Sequence, residues 1–234
     1  MPVYELSKAC VFPPPEYARS DGLLAIGGDL SVERLLAAYR LGIFPWYSYG
    51  GPILWWSPDP RLVLIPHELN IARSLRQTIK KGIFKVTLDN AFIDVITNCS
   101  EADRRDGGGS WLTEEMIGAY VRLHEAGFAH SVESWHDGEL VGGLYGVAMG
   151  GIFFGESMFF KKSNASKVAF VTLVKKLTEW GFVLIDCQVT TSYLLSFGAI
   201  HIPREDFINI LRVAKNITTL CGSWKQYNLE TVLS

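Results

Sequence analysis

The sequence predicts a mixed α/β protein with a small N-terminal domain, and three observations support this. Residues 1–61 are rich in proline and tryptophan, whereas residues 62–234 show regular strand-like and helix-like patterns. From residue 84 the predicted order is β, α, α, β, β, β, α, β, α, which contains one parallel crossover. A chain of 234 residues that is 48% hydrophobic can bury a full core. We therefore predict one domain over 1–61 and a second over 62–234.

The N-terminal segment is predicted to hold one short helix between extended aromatic stretches. Ser31 is placed to cap a helix with Leu35 on its apolar side, and Gly42 ends that helix. Ile43–Tyr47 and Ile53–Trp56 are aromatic and extended. The surrounding prolines favour loops and sheet edges over a regular sheet.

The first half of the larger domain alternates helices with a strand. Asn70 is expected to cap a helix, and Phe84–Leu88 has the alternation of a strand. Residues 90–99 are expected to form a second helix. Thr113 is expected to cap a third, because acidic residues occupy the first turn after it.

The second half is predicted to contain a meander followed by a parallel crossover. Three antiparallel strands are predicted at Ser131–Trp135, Leu140–Met149 and Ile152–Phe160. A long amphipathic helix starts at Ser163 or Asn164 and stops at Gly181, and Phe182–Val189 follows as a buried strand. A last helix is expected after Pro203. The strands on either side of the long helix are expected to be parallel neighbours in one sheet.

Charge and cysteine content exclude several classes of protein. With 24 acidic and 22 basic residues the net charge is −2, so any polyanion must be bound by a local basic patch. The four cysteines form no C-x-x-C pair and the five histidines lack metal-ligand spacing, so no metal is expected. This cysteine usage suits a reducing cytoplasm. No 18-residue apolar run and no signal peptide are found, so no membrane partner is expected.

Polar residues gather on the two strands that flank the long helix. Strand alternation places Asp186 and Gln188 on one face, and Glu156 and Met158 on one face of the neighbouring strand. Two carboxylates, an amide and a thioether could then meet beside an apolar pocket, which suits proton handling. Acidic residues at strand ends are also often simply solvated, and spacing alone does not decide. Cys187 is expected to point the other way, into the core, rather than to act as a nucleophile.

A basic helix face and two loop tryptophans are candidates for nucleic-acid contacts. The basic residues are Arg73, Arg76, Lys80, Lys81 and Lys85. They could hold phosphates, although a solvated helix face would carry the same charges. Trp46 and Trp111 lie in glycine- or proline-rich loops where a ring could stack on a base, and core filling is the alternative.

The order of elements resembles the GCN5-related N-acetyltransferase superfamily, in which the acyl donor enters a gap between two splayed strands. An acetyl-CoA enzyme of that fold would have a glycine-containing pyrophosphate loop near residues 161–167, and this sequence has no glycine there. The donor is therefore not expected to be acetyl-CoA. An acetyl-CoA-type N-acyltransferase and a non-catalytic RNA-binding module are the alternatives, and the convergence of Glu156, Asp186 and Gln188 disfavours the second.

Unusual strings over nearly the whole chain resemble leucyl/phenylalanyl-tRNA–protein transferases. They include Gly22–Leu30, Gly42–Trp46, Leu54–Arg61, Gly155–Phe159 and Leu184–Gln188. The resemblance implies an enzyme that moves Leu or Phe, and less readily Met, from aminoacyl-tRNA to the N-terminal Arg or Lys of a protein. The peptide bond formed creates an N-degron, a signal for degradation. It also implies a monomer with an acyltransferase-like C-terminal domain, no metal and no cofactor.

The resemblance further assigns roles to individual residues. Asp186 would hold Gln188, whose carbonyl oxygen would orient the acceptor amine. Glu156 would either fix Gln188 or attract the cationic N-terminal residue. Trp46 and Trp111 match positions near the terminal adenosine of the tRNA. The candidates for the donor side-chain pocket are Leu144, Phe153, Met158, Phe170, Val174 and Ile185.

The sequence departs from the family pattern just after Gln188. Tyr193 stands where many relatives have histidine, and Thr191 stands where some have asparagine. Contacts beyond Gln188 and the preference among donors therefore stay open.

Overall fold

Two β-sheets organise the chain, of which the computed structural model describes residues 2–105 and 112–227. The strands of the N-terminal sheet are β1 (Tyr4–Leu6), β2 (Leu23–Gly27), β3 (Phe44–Pro45) and β4 (Leu54–Trp56). They lie in the order β1-β2-β4-β3. Each strand has five residues or fewer, because the prolines and glycines between them interrupt the ladder.

The second sheet has seven strands and carries the rest of the fold. Its strands are β5 (Arg61–Leu64), β6 (Lys85–Leu88), β7 (Ala129–His136), β8 (Glu139–Met149), β9 (Ile152–Phe160), β10 (Leu184–Gln188) and β11 (Ile200–Ile202). They lie in the order β11-β5-β10-β9-β8-β7-β6. Strands β7, β8 and β9 form the predicted meander, and β9 and β10 are parallel neighbours, as predicted. The mixed α/β class is confirmed.

Seven helices are found among the described residues. They are α1 (Val32–Tyr39), α2 (Arg73–Lys80), α3 (Phe92–Arg105), α4 (Glu114–Glu125), α5 (Ala165–Glu179), α6 (Ser192–Ser196) and α7 (Arg204–Ala214). The hydroxyls of Ser31 and Thr113 accept backbone N–H bonds at the starts of α1 and α4, which confirms both predicted caps. Asn70 does not cap α2, because its side chain donates to the carbonyl of Ser196 and so ties two loops together.

The two faces of the large sheet are covered by different elements. Helices α2 and α5 pack on one face, in a cluster that includes Leu75 and Phe153. Helices α1, α3, α4 and α7 pack on the other face together with the N-terminal sheet. The ring of Tyr39 on α1 lies 5.1 Å from that of Phe154 on β9. The N-terminal elements therefore share a core with the large sheet and bring their side chains to β9.

A β-bulge interrupts β9 at Glu156. Gly146 pairs with Gly155 and Tyr145 pairs with Ser157, so Glu156 is an extra residue with no partner on β8. Gly146 is required there, since an added Cβ would collide with the carbonyl oxygen of Phe154.

The bulge corrects the prediction that Glu156 and Met158 share a face. Met158 pairs with Leu144 on the side of α5. Glu156 instead turns to the opposite side, where its carboxylate meets Tyr39 and Tyr120. Simple alternation fails because the inserted residue shifts the phase of the strand by one.

Strands β9 and β10 separate after a short paired stretch. Ile152–Phe154 pairs with Leu184–Asp186, and beyond those residues the two strands splay apart. A second bulge lies in β10, where Asp186 and Gln188 pair with consecutive residues of β5 and Gln188 has a φ of +60°. The gap that results is the feature expected of an acyltransferase-like fold, and the polar residues lie at its rim.

Candidate active site

An apolar cavity of about 390 Å³ opens where β9 and β10 splay apart. Five of the six predicted pocket residues line it, namely Leu144, Phe153, Met158, Phe170 and Ile185. Val174 is not among the lining residues, and its neighbour Leu173 lines the cavity instead. Helix α6, which no sequence pattern predicts, adds Tyr193 and Leu194 as a further wall.

Asp186 is held by a buried arginine that the sequence does not single out. The Nε and Nη2 atoms of Arg61 donate to the two carboxylate oxygens of Asp186 at 2.8 and 2.6 Å, and both side chains are buried. The guanidinium lies between the rings of Phe44 and Phe207, at 4.9 and 4.7 Å from their centroids. The Asp186 charge is therefore matched on the side away from the cavity. A positively charged residue at the start of a buried strand is the sole sequence signal for this partner.

Asp186 also stabilises the backbone conformation of Gln188. Its Oδ1 accepts the Gln188 N–H at 2.9 Å, which stabilises the left-handed conformation of Gln188. The predicted contact between these two residues is present, but it runs to the backbone of Gln188 rather than to its side-chain amide.

Glu156 is the partner of that amide. The Nε2 atom of Gln188 donates to Oε1 of Glu156 at 3.0 Å, so the Gln188 Oε1 remains available to face the cavity. The hydroxyls of Tyr39 and Tyr120 approach the two carboxylate oxygens at 2.8 and 2.9 Å. Of the two alternatives left by the sequence, the free chain therefore shows Glu156 fixing Gln188. Neither tyrosine carries a motif, and both come from elements that precede β9 by many residues.

Burial dominates the electrostatics of this cluster. It raises the pKa of Glu156 to about 7, with a smaller contribution from the Asp186 charge, while the bonds from Tyr39, Tyr120 and Gln188 oppose the rise. Burial and the Glu156 charge also hold the pKa of Tyr39 and of Tyr120 well above the ordinary tyrosine value. Both phenols therefore keep their protons across the physiological range.

Comparison with known proteins identifies the family to which this site belongs. The family model described as leucyl/phenylalanyl-tRNA protein transferase matches residues 63–212, and the model for the N-terminal domain of that family matches residues 28–59. This chain belongs to the leucyl/phenylalanyl-tRNA protein transferase family. All residues that line the cavity lie within the segment 63–212 that the first of these models matches.

Three curated relatives show how close the similarity is, and each bears the name leucyl/phenylalanyl-tRNA–protein transferase. The one from Desulfatibacillum aliphaticivorans is 58% identical, covering 96% of this chain and 96% of its own. The one from Syntrophobacter fumaroxidans is 60% identical over 93% and 92%, and the one from Myxococcus xanthus is 57% identical over 97% and 97%. Among solved structures, the chain is similar to L-PGS from Bacillus licheniformis at 12% identity and a TM-score of 0.41, covering 72% of this chain and 54% of that one.

The thiol of Cys187 borders the cavity without being reactive. Its side chain is buried, and burial raises the pKa of this thiol far above the ordinary cysteine value. The thiol therefore stays protonated and weakly nucleophilic in this family member.

The five predicted phosphate ligands lie on an exposed surface beside α5. Arg73, Arg76 and Lys80 on α2, the adjoining Lys81, and Lys85 on β6 are all exposed. None of them forms an ion pair with a carboxylate of the described residues. Their charges are therefore free to meet a polyanion.

Of the two tryptophans predicted to contact the terminal adenosine, the structure describes only Trp46. Trp46 is 45% exposed, and its ring lies 5.9 Å from that of Trp56, so one face is open. Trp111 lies outside the described residues.

Within residues 2–105 and 112–227, no group of three or more His, Cys, Asp and Glu side chains could hold a metal ion. No helix in that same part of the chain is long and apolar enough to cross a membrane.

Proposed function

We propose that this chain transfers leucine or phenylalanine, and less readily methionine, from aminoacyl-tRNA to the N-terminal Arg or Lys of proteins. Membership of the family supports the class of reaction. The observation that carries the proposal is the apolar cavity that ends at the Gln188 amide between two splayed strands. Product proteins would carry a new apolar N-terminus and would thereby become targets for degradation.

The chemistry requires positioning rather than activation. The aminoacyl ester is already reactive, so the enzyme has to align it with the acceptor amine, whose reference pKa is about 7.7–8.0. Asp186 fixes the backbone of Gln188, and Glu156 turns its amide so that Oε1 can accept a hydrogen bond from the amine. The Gln188 amide orients this amine but is too weak a base to take a proton from it.

The walls of the cavity account for the choice of donor. Leu144, Phe153 and Ile185 present hydrocarbon, and Met158 adds a flexible thioether. Leu, Phe and Met side chains fit such walls, whereas a charged side chain would lose its hydration without finding a partner. The ring of Trp46 would stack on the terminal adenosine, together with Trp111.

Acceptor choice is the first test of the proposal. Peptides that begin with Lys or Arg should accept labelled Leu or Phe, and peptides that differ only by an N-terminal Asp, Glu or Leu should not, because carboxylates line one side of the cavity. Transfer is measured as label recovered in the peptide, with an N-acetylated Arg peptide as the control. Equal transfer to the Asp peptide would contradict the acceptor assignment.

The exposed basic surface supplies a second test. Replacing Arg76, Lys80 and Lys81 with Ala should weaken tRNA binding and reduce the salt slope by about 0.9 for each phosphate that these side chains neutralise, because fewer counterions are released. A minimal aminoacyl-adenosine donor should be unaffected, since it lacks the distant phosphates. The matched control replaces Arg212, Lys215 and Lys225, which are also exposed. An equal weakening with the small donor would show that α2 acts on the active site instead.

We also propose that the enzyme works as a monomer in the cytoplasm. Aminoacyl-tRNA is a cytoplasmic substrate, and four scattered cysteines without a C-x-x-C pair suit that reducing compartment. The monomeric state is what the resemblance to the family implies.

A further inference from the structure

The two hydroxyls and the carboxyl group of Tyr39, Tyr120 and Glu156 form a closed triangle of contacts. The hydroxyls of Tyr39 and Tyr120 lie 2.6 Å apart, Tyr39 lies 2.8 Å from Oε1 of Glu156, and Tyr120 lies 2.9 Å from Oε2. All three separations are hydrogen-bond distances between oxygens. Each such contact needs one hydrogen between its two oxygens, so the triangle needs three.

Two tyrosines supply only two hydrogens. If Glu156 is ionised, one side of the triangle has no hydrogen and two sets of lone pairs oppose each other at short range. If Glu156 is neutral, its own proton completes the third bond and every contact is satisfied. The geometry therefore raises the proton affinity of Glu156 beyond what burial alone does, because a proton taken up by the ionised carboxylate completes the ring of bonds.

The Gln188 amide selects the oxygen that carries this proton. Its Nε2–H donates to Oε1, so Oε1 is best placed as the carbonyl oxygen that accepts from both Gln188 and Tyr39. The proton then lies on Oε2, Oε2–H donates to Tyr120, and Tyr120 donates to Tyr39. This direction of the ring leaves every donor with an acceptor and gives the bonds from Gln188 and Tyr39 to the carbonyl oxygen, which is the better acceptor.

The groups that face Glu156 come from every element packed around it. They are Tyr39 of α1, Tyr120 of α4, Tyr145 of β8, and Asp186 and Gln188 of β10. The Asp186 charge is matched by Arg61, and the raised pKa values of Tyr39 and Tyr120 keep these two phenols neutral. Among the described residues, Glu156 is therefore the group of the cavity wall whose pKa, about 7, lies near cytoplasmic pH.

We propose that ionised Glu156, with Tyr39 and Tyr120 as positioning residues, accepts the proton released by the attacking amine and returns it to the leaving ribose oxygen of the tRNA. The amine nitrogen forms a bond to the ester carbon and loses one proton to Glu156. The ester C–O bond breaks, and the ribose oxygen leaves as a hydroxyl with that same proton. One proton thus moves from nitrogen to oxygen, and Glu156 ends as it began. This inference rests on the proposed function.

The first experiment measures the proton on the free protein. Near pH 6, infrared difference spectra between wild type and Glu156→Gln should show the C=O stretch of a neutral carboxylic acid, and this band should disappear with a midpoint near pH 7. The difference is needed because Glu133 is a second buried carboxyl group with a raised pKa. A difference spectrum without the acid band overturns the proposal.

Tyr120→Phe keeps Glu156 and tests the ring itself. With Tyr120 replaced, the neutral and the ionised carboxyl group each keep one bond from Tyr39. The neutral form then no longer completes a ring of three bonds, so it is no longer favoured over the ionised form by the ring. We expect the midpoint to move to lower pH by a measurable amount. If the hydroxyl were only a donor to the carboxylate, its removal would move the midpoint to higher pH and contradict the ring. Tyr47→Phe is the matched control, because Tyr47 bonds Glu115 elsewhere and its replacement should leave the midpoint unchanged.

The second experiment follows single-turnover transfer against pH, using two acceptor peptides whose α-amine pKa values differ. One limb of the pH–rate profile should shift with the α-amine pKa of the peptide. A second limb should stay near pH 7 for both, with the rate lost as the pH falls and Glu156 becomes protonated. Glu156→Gln should remove the fixed limb and slow transfer at least tenfold at pH 8. A fixed limb that persists in Glu156→Gln, in an assay where wild type transfers, overturns this inference alone. A wild type that transfers nothing overturns the proposed function as well.

Discussion

Replacing Arg61 with Ala is expected to lower the free energy of unfolding by about 3–5 kcal/mol and to abolish measurable aminoacyl transfer. The variant leaves the Asp186 carboxylate buried without its charge partner. It also removes the cation from between two aromatic rings that belong to β3 and α7. The Asp186 carboxylate would then draw in water, and the Gln188 N–H would lose a rigid acceptor.

The stability and the activity effects of this pair can be separated by a double variant. Arg61→Met with Asp186→Leu replaces both charges by apolar groups of similar volume, so much of the lost stability should return. Transfer should not return, because nothing then holds the backbone of Gln188. Denaturant unfolding and labelled transfer are measured on the same samples. Recovery of transfer in the double variant would show that Asp186 is dispensable.

A surface ion pair provides the control for this experiment. Arg212 contacts Glu16 at 3.2 Å, and both side chains are largely exposed. Such pairs contribute about 0–1 kcal/mol, so Arg212→Ala should change stability little and transfer not at all.

Gln188→Glu is expected to lower the rate of transfer by about 30- to 150-fold, which corresponds to about 2–3 kcal/mol. The change keeps the shape of the side chain but replaces the Nε2 donor by a carboxylate oxygen 3.0 Å from Glu156. Two carboxyl groups at that distance share one proton, so the pKa of one of them rises strongly. The oxygen that orients the amine would then be turned or protonated.

The same variant should show a characteristic dependence of stability on pH. A carboxyl group whose pKa is raised in the folded state binds its proton more tightly there than in the unfolded chain. Its stability relative to wild type should therefore be highest at acid pH and fall as the pH rises through the raised value. Gln226→Glu is the control and should show neither effect, because Gln226 is the exposed last residue of a short 3-10 helix, Trp224–Gln226. Wild-type rates in Gln188→Glu would contradict the orienting role of the amide.

Local patterns in the sequence determined much of the fold. The caps at Ser31 and Thr113, the meander and the parallel crossover all follow from short-range rules, because they depend on residues a few positions apart. The cavity was also predictable, since apolar residues on β8, β9 and α5 must face one another across a crossover. Leu173 lines the cavity where Val174 was predicted, because α5 has buried apolar residues on several sides and the sequence does not show which of them faces the cavity.

The polar site was identified by residue type, but its arrangement was decided by tertiary structure. Period-two alternation predicted that Glu156 shares a face with Met158, and a single inserted residue in β9 reversed this. A bulge carries little signal in the sequence, because it depends on the pairing of β8 with β9 and on the close approach of Gly146 to Phe154.

Arg61, Tyr39 and Tyr120 were invisible as functional residues for the same kind of reason. They lie 125, 117 and 36 residues from the side chains they bind, and no spacing rule spans such distances. Arg61 reaches Asp186 because β5 pairs with β10, whereas the two tyrosines reach Glu156 because α1 and α4 pack on one face of the large sheet. A buried polar atom must find a partner wherever the fold brings one within reach, and only the packed chain shows which partner that is.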